Sequence, residues 1–210
     1  MCAARMRGCL VALEGTEGAG KSTHLQRAAT ALRAGGHRVE TTAEPGGTAL
    51  GVELRTLLLH GRDTAPQPLA ELFLYLADRA QHVAQVIEPA LDAGALVLTD
   101  RFSASTIAYQ AYGRGLDLDA VTRADAWARA GVSPRLTILL DCPVRLGLQR
   151  ARGHDRFHAE LEAFHERVRN GFHAQAAAAR DTWRVIDARQ PEDAVHAEVL
   201  AAIRACVAAP

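Results

Sequence analysis

The chain is expected to fold as an α/β protein, with one five-stranded parallel sheet surrounded by helices. Two observations lead there. Apolar, strand-like runs recur at 9–13, 37–42, 95–99, 136–141 and 183–187, and helical patterns fill most of the chain between them. Strands that alternate with helices pair in parallel, because each crossover helix packs back onto the sheet and covers a face. The second observation is a glycine-rich turn that joins the first strand to the first helix.

Taken in order, the run Cys9-Leu10-Val11-Ala12-Leu13 leads into that turn, Gly15-Thr16-Glu17-Gly18-Ala19-Gly20-Lys21-Ser22-Thr23. Strand before and amphipathic helix after make it a phosphate-binding P-loop. The glycines let backbone N–H groups turn inward around phosphate oxygens, Lys21 reaches the terminal phosphates, and the Ser22 hydroxyl is placed for magnesium. A glycine-rich turn without a ligand is the plainer alternative, and the flanking elements count against it. The helix spans about Lys21 to Ala34, with Leu25, Ala28, Ala29 and Leu32 as its buried stripe and Gly35-Gly36 as its stop. After the second strand, Ala43-Glu44-Pro45-Gly46-Gly47-Thr48 forms a loop able to approach a ligand closely, with Glu44 a candidate acceptor for a sugar hydroxyl. Leu69 to Leu91 reads as one long helix, bent where Pro89 removes a donor. The Ala-rich stretch 174–179 reads as helix.

The third strand ends in Asp100-Arg101-Phe102. The carboxyl edge of such a sheet is where ligands bind. Asp100 there can hold magnesium, and Arg101 can grip a phosphate as an exposed clamp. On the helix before it, Tyr75 and Arg79 share a face at i, i+4, an aromatic plane beside a forked donor that suits a nucleobase. Arg150-Ala151-Arg152-Gly153-His154-Asp155-Arg156 places three arginines on a short glycine-containing connection. That composition fits a lid over about 150–160, carrying charge to a transferring phosphoryl group and closing out water. His154, His158, His165 and His173 lack any HExxH or Cys/His pairing and read as solvated side chains.

Bulk composition narrows the class. With 210 residues the chain is expected to be one domain over 1–210. Lys+Arg and Asp+Glu both number 24, which argues against a nucleic-acid binder. The four cysteines, at 2, 9, 142 and 206, show no CxxC pairing, so a reducing compartment is expected. No run is long enough to span a bilayer, and the first eight residues lack the apolar core of a signal peptide, so the expectation is a cytoplasmic enzyme with no membrane partner.

In this order the motifs resemble those of the bacterial thymidylate kinases, P-loop nucleoside-monophosphate kinases. The residues that carry the resemblance are Glu14 to Thr23, Glu44-Pro45-Gly46-Gly47-Thr48, Ala77-Asp78-Arg79-Ala80-Gln81-His82, Asp100-Arg101-Phe102, and Ser105-Thr106-Ile107-Ala108-Tyr109-Gln110 with Gly113-Arg114-Gly115. The resemblance implies a P-loop NTPase fold, a three-layer α/β/α domain with a small lid, and transfer of the ATP γ-phosphoryl to dTMP with Mg2+. It assigns Gly15 to Thr23 to ATP, with Arg189 in the loop Asp187-Ala188-Arg189-Gln190-Pro191 that faces the adenine. It places Tyr75 against thymine, Arg79 at the thymine carbonyl edge, and Thr106 and Gln110 along the base. Tyr109 then crowds the 2′ position of the sugar. Glu17 and Glu44 surround the acceptor sugar and phosphate, with Pro45 and Ser105 in the same motifs, and Arg55 and Arg101 hold the monophosphate. Lys21 and the lid residues Arg150, Arg152 and Arg156 serve the transferred group, since this P-loop carries acidic Glu17 where other members carry a base. A homodimer is implied, built on helices around Leu72 to Leu91. Three positions depart from the family pattern: Ala43 for an arginine, His158 for a glutamate, and Phe102 for a tyrosine or histidine. The competing readings are another deoxynucleotide or deoxynucleoside kinase, and an ATP-driven switch with no acceptor; the GTPase signature Asn-Lys-x-Asp is absent.

Overall fold

The computed structural model of the protein describes residues 8–60, 66–151 and 160–208. The strands are β1 (Cys9–Glu14), β2 (Val39–Ala43), β3 (Leu96–Asp100), β4 (Leu136–Asp141) and β5 (Trp183–Asp187), all parallel, in the order β2-β3-β1-β4-β5. The helices are α1 (Lys21–Ala34), α2 (Ala49–His60), α3 (Pro68–His82), α4 (Glu88–Asp92), α5 (Ser103–Thr106), α6 (Leu118–Ala128), α7 (Val144–Arg150), α8 (Glu162–Ala178) and α9 (Glu192–Ala208). Among the described residues no helix is long and apolar enough to cross a membrane.

Side-chain alternation along the strands builds three layers. Val11 and Leu13 of β1, Leu98 of β3, and Ile138 and Leu140 of β4 point to one face, where they meet Leu25, Ala28 and Leu32 of α1 and Val195, Val199 and Ile203 of α9. Leu10, Ala12 and Val97 point to the other face, against Val83, Ile87, Leu91 and Phe102. Farther along that face, Leu139 packs with Ala108, Tyr109, Phe164, Val168 and Phe172. Because β1 is central and covered twice, Leu10 to Glu14 are all buried.

Several boundaries differ from the sequence reading, and those at the ends of the second and third strands and within 69–91 affect the site. The second and third strands run one residue further than expected, so Asp100 pairs in register with Leu13 and Ala43 as a strand residue. The stretch 69–91 is not one helix. Between α3 and α4 a π-helical turn, Val83–Ile87, widens the backbone, and the Glu88 N–H reaches back to the Val83 carbonyl just before Pro89, which has no N–H to give. A second π-helical segment, Ile107–Gly113, continues α5 and carries Tyr109 and Gln110.

Candidate active site

The carboxyl edge of the sheet opens into a cleft of about 1250 Å³. Its floor is the P-loop. Lys21 folds back over the loop, donating from Nζ to the carbonyls of Gly15 at 3.0 Å and Thr16 at 2.9 Å. Burial, then the Arg101 charge, lowers its pKa to about 8, with Asp100, Glu17 and Glu14 opposing. Gly20 caps α1 with φ 91°, and at Gly18, φ 68°, a Cβ would stand 1.9 Å from the Gly147 carbonyl of α7. Only glycine allows that approach. Ser22 Oγ donates to Asp100 Oδ2 at 2.5 Å, so a hydroxyl and a carboxylate oxygen converge beside the N-terminus of α1. These hard oxygen donors fit Mg2+, which is bound through one or two protein oxygens plus phosphates and water.

Arg101 leaves β3 in the left-handed region, φ 71°, which aims its guanidinium back across the loop. Nη1 donates to the Gly15 carbonyl at 3.1 Å and Ser105 Oγ at 2.9 Å; Nη2 donates to Glu17 Oε1 at 3.2 Å and the Tyr109 hydroxyl at 3.1 Å. The exposed clamp expected from the sequence is therefore a largely buried, four-partner hub, because its backbone turn points it inward. Tyr109 in turn donates to Glu17 Oε1 at 2.6 Å. Burial by itself would raise the Glu17 pKa; His165, Arg101, Lys21 and Tyr109 together bring it well below the usual carboxylate range.

On the acceptor side, Arg79 and Glu44 pair with each other. Arg79 is 2% exposed. Its Nε and Nη2 donate to Glu44 Oε2 at 2.9 and 2.6 Å, and its Nη1 donates to Thr106 Oγ1 at 2.7 Å and Asp125 Oδ1 at 2.5 Å. Glu44 Oε1 pairs with His82 Nδ1 at 2.8 Å, and His82 Nε2 with Thr42 Oγ1 at 2.6 Å. Four of the five guanidinium protons thus hold the wall of the pocket together. Burial would raise the Glu44 pKa, but Arg79 and His82 bring it below the ordinary value. Arg79 and Glu44, assigned from the sequence to thymine and to the sugar, form a buried ion-pair framework that also lines the cleft. Arg55 Nη1 donates to the Pro45 carbonyl at 2.8 Å, bracing the Glu44-Pro45 turn, whose peptide is cis. Tyr75, Ser105, Thr106 and Gln110 line the cleft, and Gln110 is oriented by donating to Glu71 Oε1 at 2.9 Å.

The far end of the cleft is walled by Arg150, Ala151, Ala188, Gln190, Glu192 and Val195. Arg150 Nη1 donates to the Ala188 carbonyl at 2.8 Å, which ties the start of the expected lid to the loop after β5. Arg189 is not on that wall. It pairs with Asp187 instead, 2.7 Å from Nη2 to Oδ2. Arg152, Arg156, His154 and His158 lie outside the described residues. His165 and His173 pair with Glu17 and Asp141, and no cluster of metal ligands occurs among the described residues.

Sequence reasoning missed several residues that shape the site. Glu14 is fully buried and accepts from the N–H groups of Phe102 at 2.8 Å and Ser105 at 3.3 Å, and from Ser105 Oγ at 2.6 Å, so it seats the chain after β3. Its one visible signal is an acid ending an apolar run. His82, Asp125, Glu71 and His165 have no local signal, for each is a polar residue on a helix whose partner lies on another element.

A family model described as thymidylate kinase matches residues 13–199. A thymidylate kinase of Desulfovibrio desulfuricans is 49% identical over 205 residues, covering 93% of this chain and 94% of that one. One of Solidesulfovibrio magneticus is 50% identical over 195 residues, covering 88% and 93%. Among solved structures, the crystal structure of thymidylate kinase from Ehrlichia chaffeensis superposes with a TM-score of 0.77 at 30% identity, over 94% of this chain and 99% of that one. With a matching model over most of its length, relatives near half identity and the same fold as a solved thymidylate kinase, the chain belongs to the thymidylate kinase family.

Proposed function

We propose that this chain transfers the γ-phosphoryl group of ATP to dTMP, giving dTDP and ADP. The observation that carries this reading is a single cleft with a triphosphate cradle at one end, an aromatic and amide-lined pocket at the other, and Arg101 at their junction. Backbone N–H groups of the P-loop and Lys21 hold the donor phosphates. Ser22 and Asp100 would hold Mg2+, which neutralises charge on the β and γ oxygens when bound. Tyr75 stacks on thymine, with Thr106 and Gln110 at its edge, held in place by Arg79 and Glu71. Tyr109, fixed by Glu17, fills the space where a 2′-hydroxyl would sit. Arg101, carrying a fixed fork of donors, meets the acceptor phosphate and lines it up with the γ-phosphoryl; Arg55 approaches from the Pro45 side. The chemistry is mostly positioning and charge stabilisation, so a rigid, hydrogen-bonded wall serves it directly.

The remaining parts of the reading are a single domain over 1–210, a lid over 150–160 supplying Arg150, Arg152 and Arg156, a homodimer, and a cytoplasmic location. The unpaired state of Cys9, Cys142 and Cys206 supports the last. Support for the dimer is an apolar patch on adjoining helices: Leu50, Val52 and Leu57 of α2, and Leu69 and Phe73 of α3, are 43–58% exposed. The patch overlaps the expected stretch around Leu72 to Leu91 at Phe73, while Leu72, Leu76, Val83, Ile87 and Leu91 of that stretch are core residues. Turnover with dTMP, dUMP, dCMP, dGMP and thymidine tests the activity. A clear preference for dTMP is expected, and a preference for thymidine would overturn it.

A further inference from the structure

Glu71 of α3 and Gln110 of the second π-helical segment are both buried. They stand 39 positions apart in the chain and meet through the hydrogen bond from Gln110 Nε2 to Glu71 Oε1 at 2.9 Å. Arg114 pins Glu71 as well, with Nε donating to Oε1 at 3.1 Å and Nη2 donating to Oε2 at 3.3 Å. Arg114 is itself held, its Nη1 on Glu160 Oε1 at 2.5 Å and its guanidinium carbon 4.7 Å from the centre of the Phe164 ring. Glu71, Arg114 and Glu160 do not line the cleft, whereas Gln110 does.

A glutamine amide has two chemically opposite ends, an N–H donor pair and a carbonyl acceptor, while a carboxylate only accepts. Both Glu71 oxygens already accept from Arg114, so Gln110 has to turn its nitrogen toward Glu71. The partner's chemistry, rather than shape, decides which way the amide points. Its carbonyl oxygen is the end left for a ligand in the cleft. Four residues earlier, Thr106 has the opposite character. Its Oγ1 accepts from Arg79 Nη1 at 2.7 Å, which leaves the hydroxyl proton to be donated. Thr106 and Gln110, neighbours at i, i+4, thus put a donor beside an acceptor on the cleft wall.

We infer that Glu71 is a positioning residue for base choice: by fixing the polarity of Gln110, it makes the acceptor pocket select a base with an N–H at ring position 3 beside a carbonyl at position 4. The inference rests on the dTMP reading of the cleft. Thymine and uracil carry that edge. Cytosine carries its reverse, a bare ring nitrogen beside an amino group, and sets acceptor against acceptor at Gln110 and donor against donor at Thr106. Buried polar groups left without a partner discriminate far more strongly than a missing methyl group does. Glu71 needs no contact with the nucleotide for this. It acts through Gln110, and Arg114 keeps it in place.

The full chain is assayed with Mg2+ and ATP for kcat/KM on dTMP and on 5-methyl-dCMP, which keeps the methyl group, sugar and phosphate and reverses the edge. Wild type is expected to prefer dTMP by roughly 10²-fold or more. Glu71→Gln offers Gln110 a donor as well as an acceptor, so the amide can turn over. The preference is then expected to fall about tenfold or more, mainly through the two KM values. In a Gln110→Ala background the same substitution is expected to leave the preference where Gln110→Ala put it. An unchanged preference in Glu71→Gln, equal losses on both nucleotides, a further change in the Gln110→Ala background, or a wild type that takes both nucleotides equally overturns the proposal. One measurement on wild type stands whether or not the variants fold. NOEs from the Gln110 side-chain N–H protons to Glu71 are expected in the free protein and with dTMP bound, and their replacement by NOEs to dTMP overturns the proposal. Wild type that phosphorylates neither nucleotide rejects the dTMP reading instead, while the NOE still reports which way the amide points.

Discussion

Arg101 carries two loads at once. Its guanidinium faces the cleft, yet it also bonds the Gly15 carbonyl, Ser105, Glu17 and Tyr109. Arg101→Ala is therefore expected to lower kcat by roughly 10²-fold or more, as removal of a preorganised charge donor does, and also to lower Tm by about 2–8 °C, a cost of about 1–2 kcal/mol. Steady-state kinetics and a thermal melt check the two parts; near-normal turnover would remove Arg101 from the reaction. Glu14 makes a separate prediction at the same scale. Burial raises its pKa from 4.5 to about 7, with Ser105, Arg101, the Phe102 N–H and Lys21 opposing. A carboxyl with a raised native pKa stabilises the fold most below its unfolded value, and that contribution is lost as pH rises from 4.5 towards 7. Glu14→Gln keeps an acceptor there and cannot ionise. The stability difference between variant and wild type is expected to shift in favour of the variant across that window, by up to about 3 kcal/mol, measured by denaturant titration at several pH values. A difference independent of pH would contradict it.

The P-loop and α7 touch through their glycines. A Cβ on Gly147 would stand 2.4 Å from the Glu17 carbonyl, and one on Gly18 would stand 1.9 Å from the Gly147 carbonyl. Neither backbone can yield without moving the phosphate cradle. Gly147→Ala is expected to push α7 off the loop and raise the KM for ATP about tenfold or more, since misplaced backbone donors lose phosphate binding; an unchanged KM would show that the contact is not needed. Element boundaries were legible where a local cause sets them. Gly35 ends α1, and the strand runs needed only apolar residues of the right length. The π-helical turns at Val83–Ile87 and Ile107–Gly113 were not, because a widened turn is selected by what the helix packs against on either side. Which side of α3 is exposed was hidden for a related reason. Leu72 and Leu76 look the same in sequence as Leu69 and Phe73, and only the docking of α3 decides which side is covered.

For the whole molecule, the exposed patch on α2 and α3 is the face to test. Wild type is expected to sediment as a dimer at micromolar concentration, and Phe73→Glu, which puts a charge one turn from Leu69, to shift it to monomer while the fold is retained by circular dichroism. A wild type that sediments as monomer would end the dimer reading. The chain by itself determined the layer architecture, the P-loop and the edge that carries Asp100 and Arg101, because each rests on local residue order: apolar runs, glycines before Lys21, and a polar pair closing a strand. Only the tertiary structure decided that Arg79 and Glu44 brace one another and that Arg189 pairs with Asp187. Those pairings join residues 35 and 2 positions apart. They depend on which group is nearest once the elements have packed, and a side chain with several charged neighbours within reach does not announce which one it will take.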